Sequence, residues 1–128
     1  PDVILVDKHP KYFSAQFGME LSEHYEAKYI EIQHHKAHFA AVLGEHDLFN
    51  TNENILGVVW DGTGYGDDGN IWGGEFFNYS NKSLDRIAHF EYYNWLSGDQ
   101  MAKEPRLSLF SLLEYENILK RKISNVEL

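Results

Sequence analysis

The chain has 128 residues, a hydrophobic fraction of 43% and no cysteine. That is enough apolar side chain for one packed domain, and it rules out disulfides, thiolate metal sites and a thiol nucleophile. Lys plus Arg number 11 and Asp plus Glu 20, a formal net charge of −9, so a phosphate backbone is a poor electrostatic match and nucleic-acid binding is not expected. No apolar run reaches the ~18 residues of a membrane span and no signal peptide is visible. A reducing compartment is compatible with this, and a cytoplasmic protein without membrane contact is expected. The chain starts at Pro1 with a strand-like run almost at once, and it reads as a piece of a longer protein.

Val3-Ile4-Leu5-Val6, ending at Asp7, has the continuous apolar character of a buried parallel strand. His9-Pro10 breaks it, and a helix is expected from Pro10 to about Glu20, with Phe13, Phe17 and Leu21 recurring every four residues toward the core. Lys28 to Ile32 reads as a second strand. A helix follows from about His35 to Leu48; its apolar positions wrap most of the circumference, and Ala37, Ala40, Ala41 and Gly44 form a face of small residues suited to close packing. Phe49 to Asn54 is a polar loop.

Ile55 to Phe77 reads as strand, glycine-rich turn, strand. The first strand has the apolar density of one buried on both faces. Asp67-Asp68-Gly69-Asn70 turns the chain, Asp-Gly being a hairpin signal. Asn78 to Asp85 is a turn rich in Asn and Ser, and Arg86 to Tyr93 is a third strand that completes an antiparallel meander. Asn94 to Lys103 is loop-like around Ser97-Gly98-Asp99. Glu104-Pro105-Arg106 starts a helix expected to reach about Lys120, with Leu107, Leu109, Phe110, Leu112 and Leu113 giving a broad apolar face and Lys120, Arg121 and Lys122 suiting its C-terminal dipole. The order is β-α-β-α followed by β-β-β-α. This is α/β architecture, and its second half resembles the opening of a ribonuclease-H-like domain. The division expected is 1–54 as the end of one lobe and 55–128 as the start of the next.

His34 and His38 lie four apart and project from one face of a helix, about one turn apart. The residue after His34 is His35, so the H-E-x-x-H pattern is absent, and a bare His-x-x-x-His spacing equally suits a structural or solvated helix face. Imidazole with carboxylate suits zinc or iron, and Asp61, ending a strand, is the natural third ligand. Asp61 also suits a simple turn cap. On the functional reading it coordinates a cation while glycine N–H groups and the Thr63 hydroxyl cradle phosphate. The loop lacks the Gly-Lys-Ser/Thr ending of a Walker A motif and, being followed by a strand, does not fit a dinucleotide fingerprint. Arg106 sits at a helix start, where a cation is mildly unfavourable, and is a candidate anion contact. His9 suits a turn; His24, His46 and His89 read as structural.

Gln33-His34-His35-Lys36-Ala37-His38, Asp61-Gly62-Thr63-Gly64-Tyr65-Gly66 and Ile71-Trp72-Gly73-Gly74-Glu75-Phe76 together resemble the hydrogenase-maturation carbamoyltransferases of the HypF family. Asp7-Lys8-His9-Pro10, Arg86-Ile87-Ala88-His89, Gly98-Asp99 and Glu104-Pro105-Arg106 agree in order. The resemblance covers nearly the whole chain. It departs at Lys36, where the family usually has a third His, at Asp67, where Thr is commoner, and at Ser97, where Gly is usual.

The resemblance implies an actin-like carbamoyltransferase fragment across a lobe junction. It implies a divalent metal, zinc or iron, held by His34, His38 and Asp61 with a further Asp beyond Leu128. It also implies that Gly62, Thr63, Gly64, Gly66, Gly73 and Gly74 lie against nucleotide phosphate. The full enzyme would use carbamoyl phosphate and ATP, through carbamoyl-adenylate, to carbamoylate the C-terminal cysteine of a partner, HypE; the fragment alone would be silent, and no residue here is assigned as general base. Two rivals stand beside this reading: a tRNA-modifying transferase of the threonylcarbamoyl class, disfavoured by the stretch between the histidines and by the charge, and a non-catalytic actin-like docking module that uses Tyr92, Tyr93 and Trp95.

Overall fold

The computed structural model describes residues 1–96, 98 and 100–114, in a first unit, Pro1–Phe90, and a second that begins at Glu91. In the first unit β1 (Val3–Asp7) and β2 (Lys28–Ile32) pair in parallel, Val3 opposite Lys28 and Asp7 opposite Ile32. A parallel pair needs a crossover, and α1 (Phe13–His24) supplies it. The helix starts three residues later than Pro10 because His9 to Tyr12 form a turn first, closed by the Tyr12 N–H on the His9 carbonyl. Its packing face also differs from the expectation. Phe13 and Phe17 are exposed and stack on each other; the buried positions are Ala15, Gly18 and Ser22. The sheet selects the small face because it lies close: a Cβ on Gly18 would sit 2.3 Å from Val6 Cγ1. Gly18→Ala is therefore expected to cost about 1–3 kcal/mol of stability through overpacking, despite a helix-propensity gain of up to ~1 kcal/mol, and so to lower the urea midpoint. A raised urea midpoint would show that β1 can yield.

α2 (His34–Glu45) follows β2 directly. Gln33 caps it, its side-chain oxygen accepting the Lys36 N–H at 2.9 Å. The helix stops short of Leu48, as Asp47 takes the left-handed conformation (φ +55°) ahead of a short 3-10 turn at Leu48–Asn50. Its buried stripe is His35, Phe39 and Leu43, four apart; Ala37, Ala41 and Gly44 are exposed, so the small-residue face is not the packing face among the described residues.

β3 (Ile55–Val59), β6 (Glu75–Ser80) and β7 (Ser83–His89) form the expected antiparallel meander, in the order β3-β6-β7. Between β3 and β6 the chain makes a second, smaller ribbon of β4 (Gly64–Tyr65) and β5 (Ile71–Trp72), with Gly64 opposite Trp72. Asn78 and Ser80 lie in the ladder, not in a turn; the turn is Asn81-Lys82, both at positive φ (50° and 61°). β3 is covered on one face only among the described residues. Gly57 and Val59 are buried, whereas Leu56, Val58 and Trp60 are exposed. The covered face packs on α2, with Phe39 stacked on Phe77 and Trp72 beside it. Tyr79 ties β6 to the 3-10 turn by donating to the Phe49 carbonyl at 2.7 Å.

The second unit contains α3 (Gln100–Lys103) and α4 (Pro105–Glu114). Pro105 occupies the first helical position, as its fixed φ favours. Met101, Ser111 and Leu113 are buried, Ser111 donating to the Asn94 carbonyl, while Leu109, Phe110 and Leu112 are exposed. Ser97, Asp99 and Lys120-Arg121-Lys122 lie outside the described residues, as does the expected helix beyond Glu114. No described helix is long and apolar enough to cross a membrane.

Candidate metal centre

β3 delivers Asp61 one residue past Trp60, beside the first two turns of α2. His34 Nε2 and His38 Nε2 stand 3.1 Å apart, and Asp61 Oδ2 lies 3.4 Å from the first and 3.6 Å from the second. For a tetrahedral cation with bonds of ~2.05 Å to N and O, ligand atoms should stand about 3.3 Å from one another. The three atoms therefore form a face of the size a zinc-like ion requires, and two imidazoles with one carboxylate suit zinc or iron(II). His34, His38 and Asp61 are the one such ligand set among the described residues.

Around this trio lie residues that the sequence reading missed. Asp7, ending β1, places Oδ2 2.7 Å from His34 Nδ1. His35, fully buried, places Nε2 2.9 Å from Asp61 Oδ1. The side-chain amide of Gln33 lies 2.9 Å from His35 Nδ1 and donates to the Tyr65 carbonyl at 3.1 Å. Burial pushes the His35 imidazole below its ordinary value, and the Asp61 charge opposes this only in part. The available signal was positional: Asp7, like Asp61, ends an apolar run.

The glycines do something other than expected. The Gly62 N–H donates to the Gly73 carbonyl and the Gly66 N–H to the Asn70 carbonyl. Gly73 and Gly74 N–H both donate to Glu75 Oε1, at 3.0 and 3.3 Å. These four N–H groups have internal acceptors. A Cβ on Gly64 would meet the His35 ring at 2.5 Å, on Gly66 the Trp72 indole at 2.2 Å, on Gly73 the Gly62 backbone at 2.4 Å and on Gly74 Phe90 at 2.4 Å. The glycines let the hairpin close on the histidines and on itself. Gly62 differs, with φ +87° and open space where a Cβ would project. Asp67, a departure from the family pattern, pairs with Lys8 at the surface. Arg106, in the second unit, is exposed and held bidentately by Glu104 at 2.7 and 2.6 Å; the guanidinium draws the Glu104 carboxyl down to about 2. Its charge is matched locally by Glu104.

An α/β fold with separate β1-β2 and β3-β6-β7 sheets, a small β4-β5 ribbon and a His-His-Asp cluster beside them is that of an actin-like domain. The chain belongs to the HypF family: residues 57–127 match "Carbamoyltransferase, Kae1-like Domain, second subdomain" and residues 1–45 match "HypF Kae1-like domain". It is 42% identical over 113 residues to a carbamoyltransferase HypF from Synechocystis and 38% identical over 112 residues to a probable carbamoyltransferase HypF from Methanocaldococcus jannaschii, covering 88% of this chain and 14% of each relative. The crystal structure of HypF from T. kodakarensis superposes with a TM-score of 0.78 at 35% identity, over 90% of this chain and 15% of that one. A structure of full-length HypF in a phosphate- and nucleotide-bound form gives 0.75 at 36%, over 99% and 16%. The chain thus spans about 14% of the length of these curated relatives.

Proposed function

We propose that this chain carries the metal centre of a HypF carbamoyltransferase domain, at the junction of lobes 1–54 and 55–128. The observation that carries the reading is the convergence of His34 Nε2, His38 Nε2 and Asp61 Oδ2 from the two sides of that junction. The separate β1-β2 and β3-β6-β7 sheets support the lobe division.

His34, His38 and Asp61 hold a divalent zinc or iron ion, which when bound supplies positive charge to polarise a carbamoyl mixed anhydride or its phosphate. The residues of the chain set where the reacting group lies. Thr63, through its hydroxyl, and the open face of Gly62 contact nucleotide phosphate beside Asp61. The nucleotide-bound HypF relative supports this part of the reading; the Gly62 N–H is already used within the chain, so Gly62 contributes its open Cα face and Thr63 the hydrogen-bonding group. The longer protein carrying this chain would use carbamoyl phosphate and ATP, via carbamoyl-adenylate, to carbamoylate the C-terminal cysteine of HypE in the cytoplasm, on the route to the cyanide ligands of nickel–iron hydrogenase. With no cysteine in the chain, the acceptor thiol comes from outside it. Both family matches are to HypF domains, which favours this reading over the tRNA-modifying one.

In the full-length protein, His38→Ala and Asp61→Ala are each expected to lower carbamoyl transfer to the HypE cysteine by at least about 100-fold and to lower bound metal, with folding retained. Transfer and metal content at wild-type levels in both variants would end the metal assignment.

A further inference from the structure

We propose that Asp7 and His35 are the positioning residues of the centre: Asp7 turns the His34 Nε2 lone pair toward the cation, and His35 holds Asp61 so that Oδ2 faces it. This rests on the reading of His34, His38 and Asp61 as ligands.

The proton positions follow from donors that have no alternative. Asp7 Oδ1 accepts the His9 N–H at 2.8 Å, and Oδ2 lies 2.7 Å from His34 Nδ1. A carboxylate only accepts, so His34 carries its proton on Nδ1 and leaves Nε2 as a lone pair. The second chain of bonds starts at the helix cap. The Lys36 N–H donates to Gln33, so the atom it faces is the amide oxygen. The other amide atom is then the nitrogen, which also suits its contact with the Tyr65 carbonyl, a pure acceptor. That nitrogen donates to His35 Nδ1, so His35 carries its proton on Nε2, the atom 2.9 Å from Asp61 Oδ1. His35 Nε2 is buried and has no well-aligned acceptor among the described residues; Asp61 lies at the right distance and at the wrong angle. The ring is locked by burial and Asp61 is partly exposed, so turning the carboxylate is what completes the bond. A carboxylate held at Oδ1 offers Oδ2 as its single ligand atom. Partners of this kind fix tautomer and orientation around bound metals, and losing one typically costs 10–100-fold in affinity.

The test uses the full-length protein, zinc competed against a chelator, and cobalt(II) as a spectroscopic probe. His34→Ala is expected to abolish binding. Asp7→Asn and His35→Phe are each expected to weaken zinc about 10–100-fold and to shift the cobalt ligand-field bands. The metal-free unfolding midpoint of Asp7→Asn should stay at the wild-type value. His35→Gln, which keeps an N–H near the Nε2 position, should recover most of the affinity. If His34→Ala loses metal while Asp7→Asn and His35→Phe bind normally, the positioning roles are wrong and the metal reading stands. If His34→Ala binds normally, both fail. A metal-free midpoint that falls together with affinity in Asp7→Asn would make Asp7 a structural residue and overturn its role.

Discussion

Glu75→Ala is expected to destabilise the protein by about 3–5 kcal/mol, the range for removing one partner of a buried ion pair. Glu75 is 1% exposed, yet it is an acid at the start of a strand. Its Oε2 accepts from Arg86 Nε at 2.6 Å, and its Oε1 accepts both the Gly73 and Gly74 N–H groups. The Arg86 guanidinium lies 3.8 Å over the Trp72 ring, and Trp72 donates to Asp68 at 2.8 Å. One carboxylate thus ties together β6, β7 and the foot of the β4-β5 ribbon. Alanine leaves two amide donors without their acceptor and takes from Arg86 its 2.6 Å carboxylate partner; Asp68, at 3.7 Å, stays within ion-pair reach. Glu75→Gln keeps an oxygen for the amides but sets its NH2, a donor, against the Arg86 Nε–H, so its cost is expected to be at least the ~1.5–3 kcal/mol of a charge-assisted bond and below that of alanine. Urea denaturation of the two variants orders them. A cost below about 1 kcal/mol for Glu75→Ala would mean that Asp68 and Trp72 already satisfy Arg86.

The element order was readable because strands with continuous apolar runs and a helix-starting proline are local signals. The β1-α1-β2 crossover and the β3-β6-β7 meander both follow from them. Helix faces were not readable in the same way. Phe13 and Phe17 have the spacing of a core stripe, but the distance between α1 and β1 is set by Gly18 and Val6, and a close helix selects its small face. The Asn-rich stretch after Phe77 misled for a related reason. Asn78 and Ser80 are turn formers by composition, but only Asn81 and Lys82 take positive φ. β3 reads as buried on both faces from its residues; among the described residues one of those faces, with Leu56 and Val58, is uncovered.

The three ligand candidates were legible because their spacing and strand-end position carry the chemistry. Their supporting residues were not, since Asp7 and His34 stand 27 positions apart and Gln33 and Tyr65 stand 32 apart; no sequence pattern links them without the fold. Glycine misleads in the opposite direction. A glycine-rich loop next to an acid suggests a bound phosphate, but a glycine is equally required where the protein approaches itself. A Cβ at Gly64, Gly66, Gly73 or Gly74 would strike another part of the chain at 2.2–2.5 Å.

Gly64→Val separates those two reasons. A nucleotide cradle predicts weaker nucleotide binding with the metal centre intact. The structure predicts that the metal centre is lost first. The new Cβ would stand 2.5 Å from His35 Cε1 and 3.1 Å from His34 Cδ2. His35 is fully buried and hydrogen-bonded to Gln33, so turning its ring away would break that bond, and the ribbon is expected to lift away from α2 instead. Overpacking of this kind costs about 1–3 kcal/mol. Lifting β4 also draws the Tyr65 carbonyl off Gln33 and Asp61 away from the histidines, so zinc affinity is expected to fall more than about 10-fold. Gly62→Ala is the control. Its Cβ meets no atom within 4 Å, and its cost is the ~1–2 kcal/mol of a left-handed backbone, with zinc affinity unchanged. Chelator competition and calorimetric nucleotide titration on the same two variants decide the matter. Gly64→Val with full zinc affinity and lost nucleotide binding would restore the phosphate cradle as the reason for this glycine.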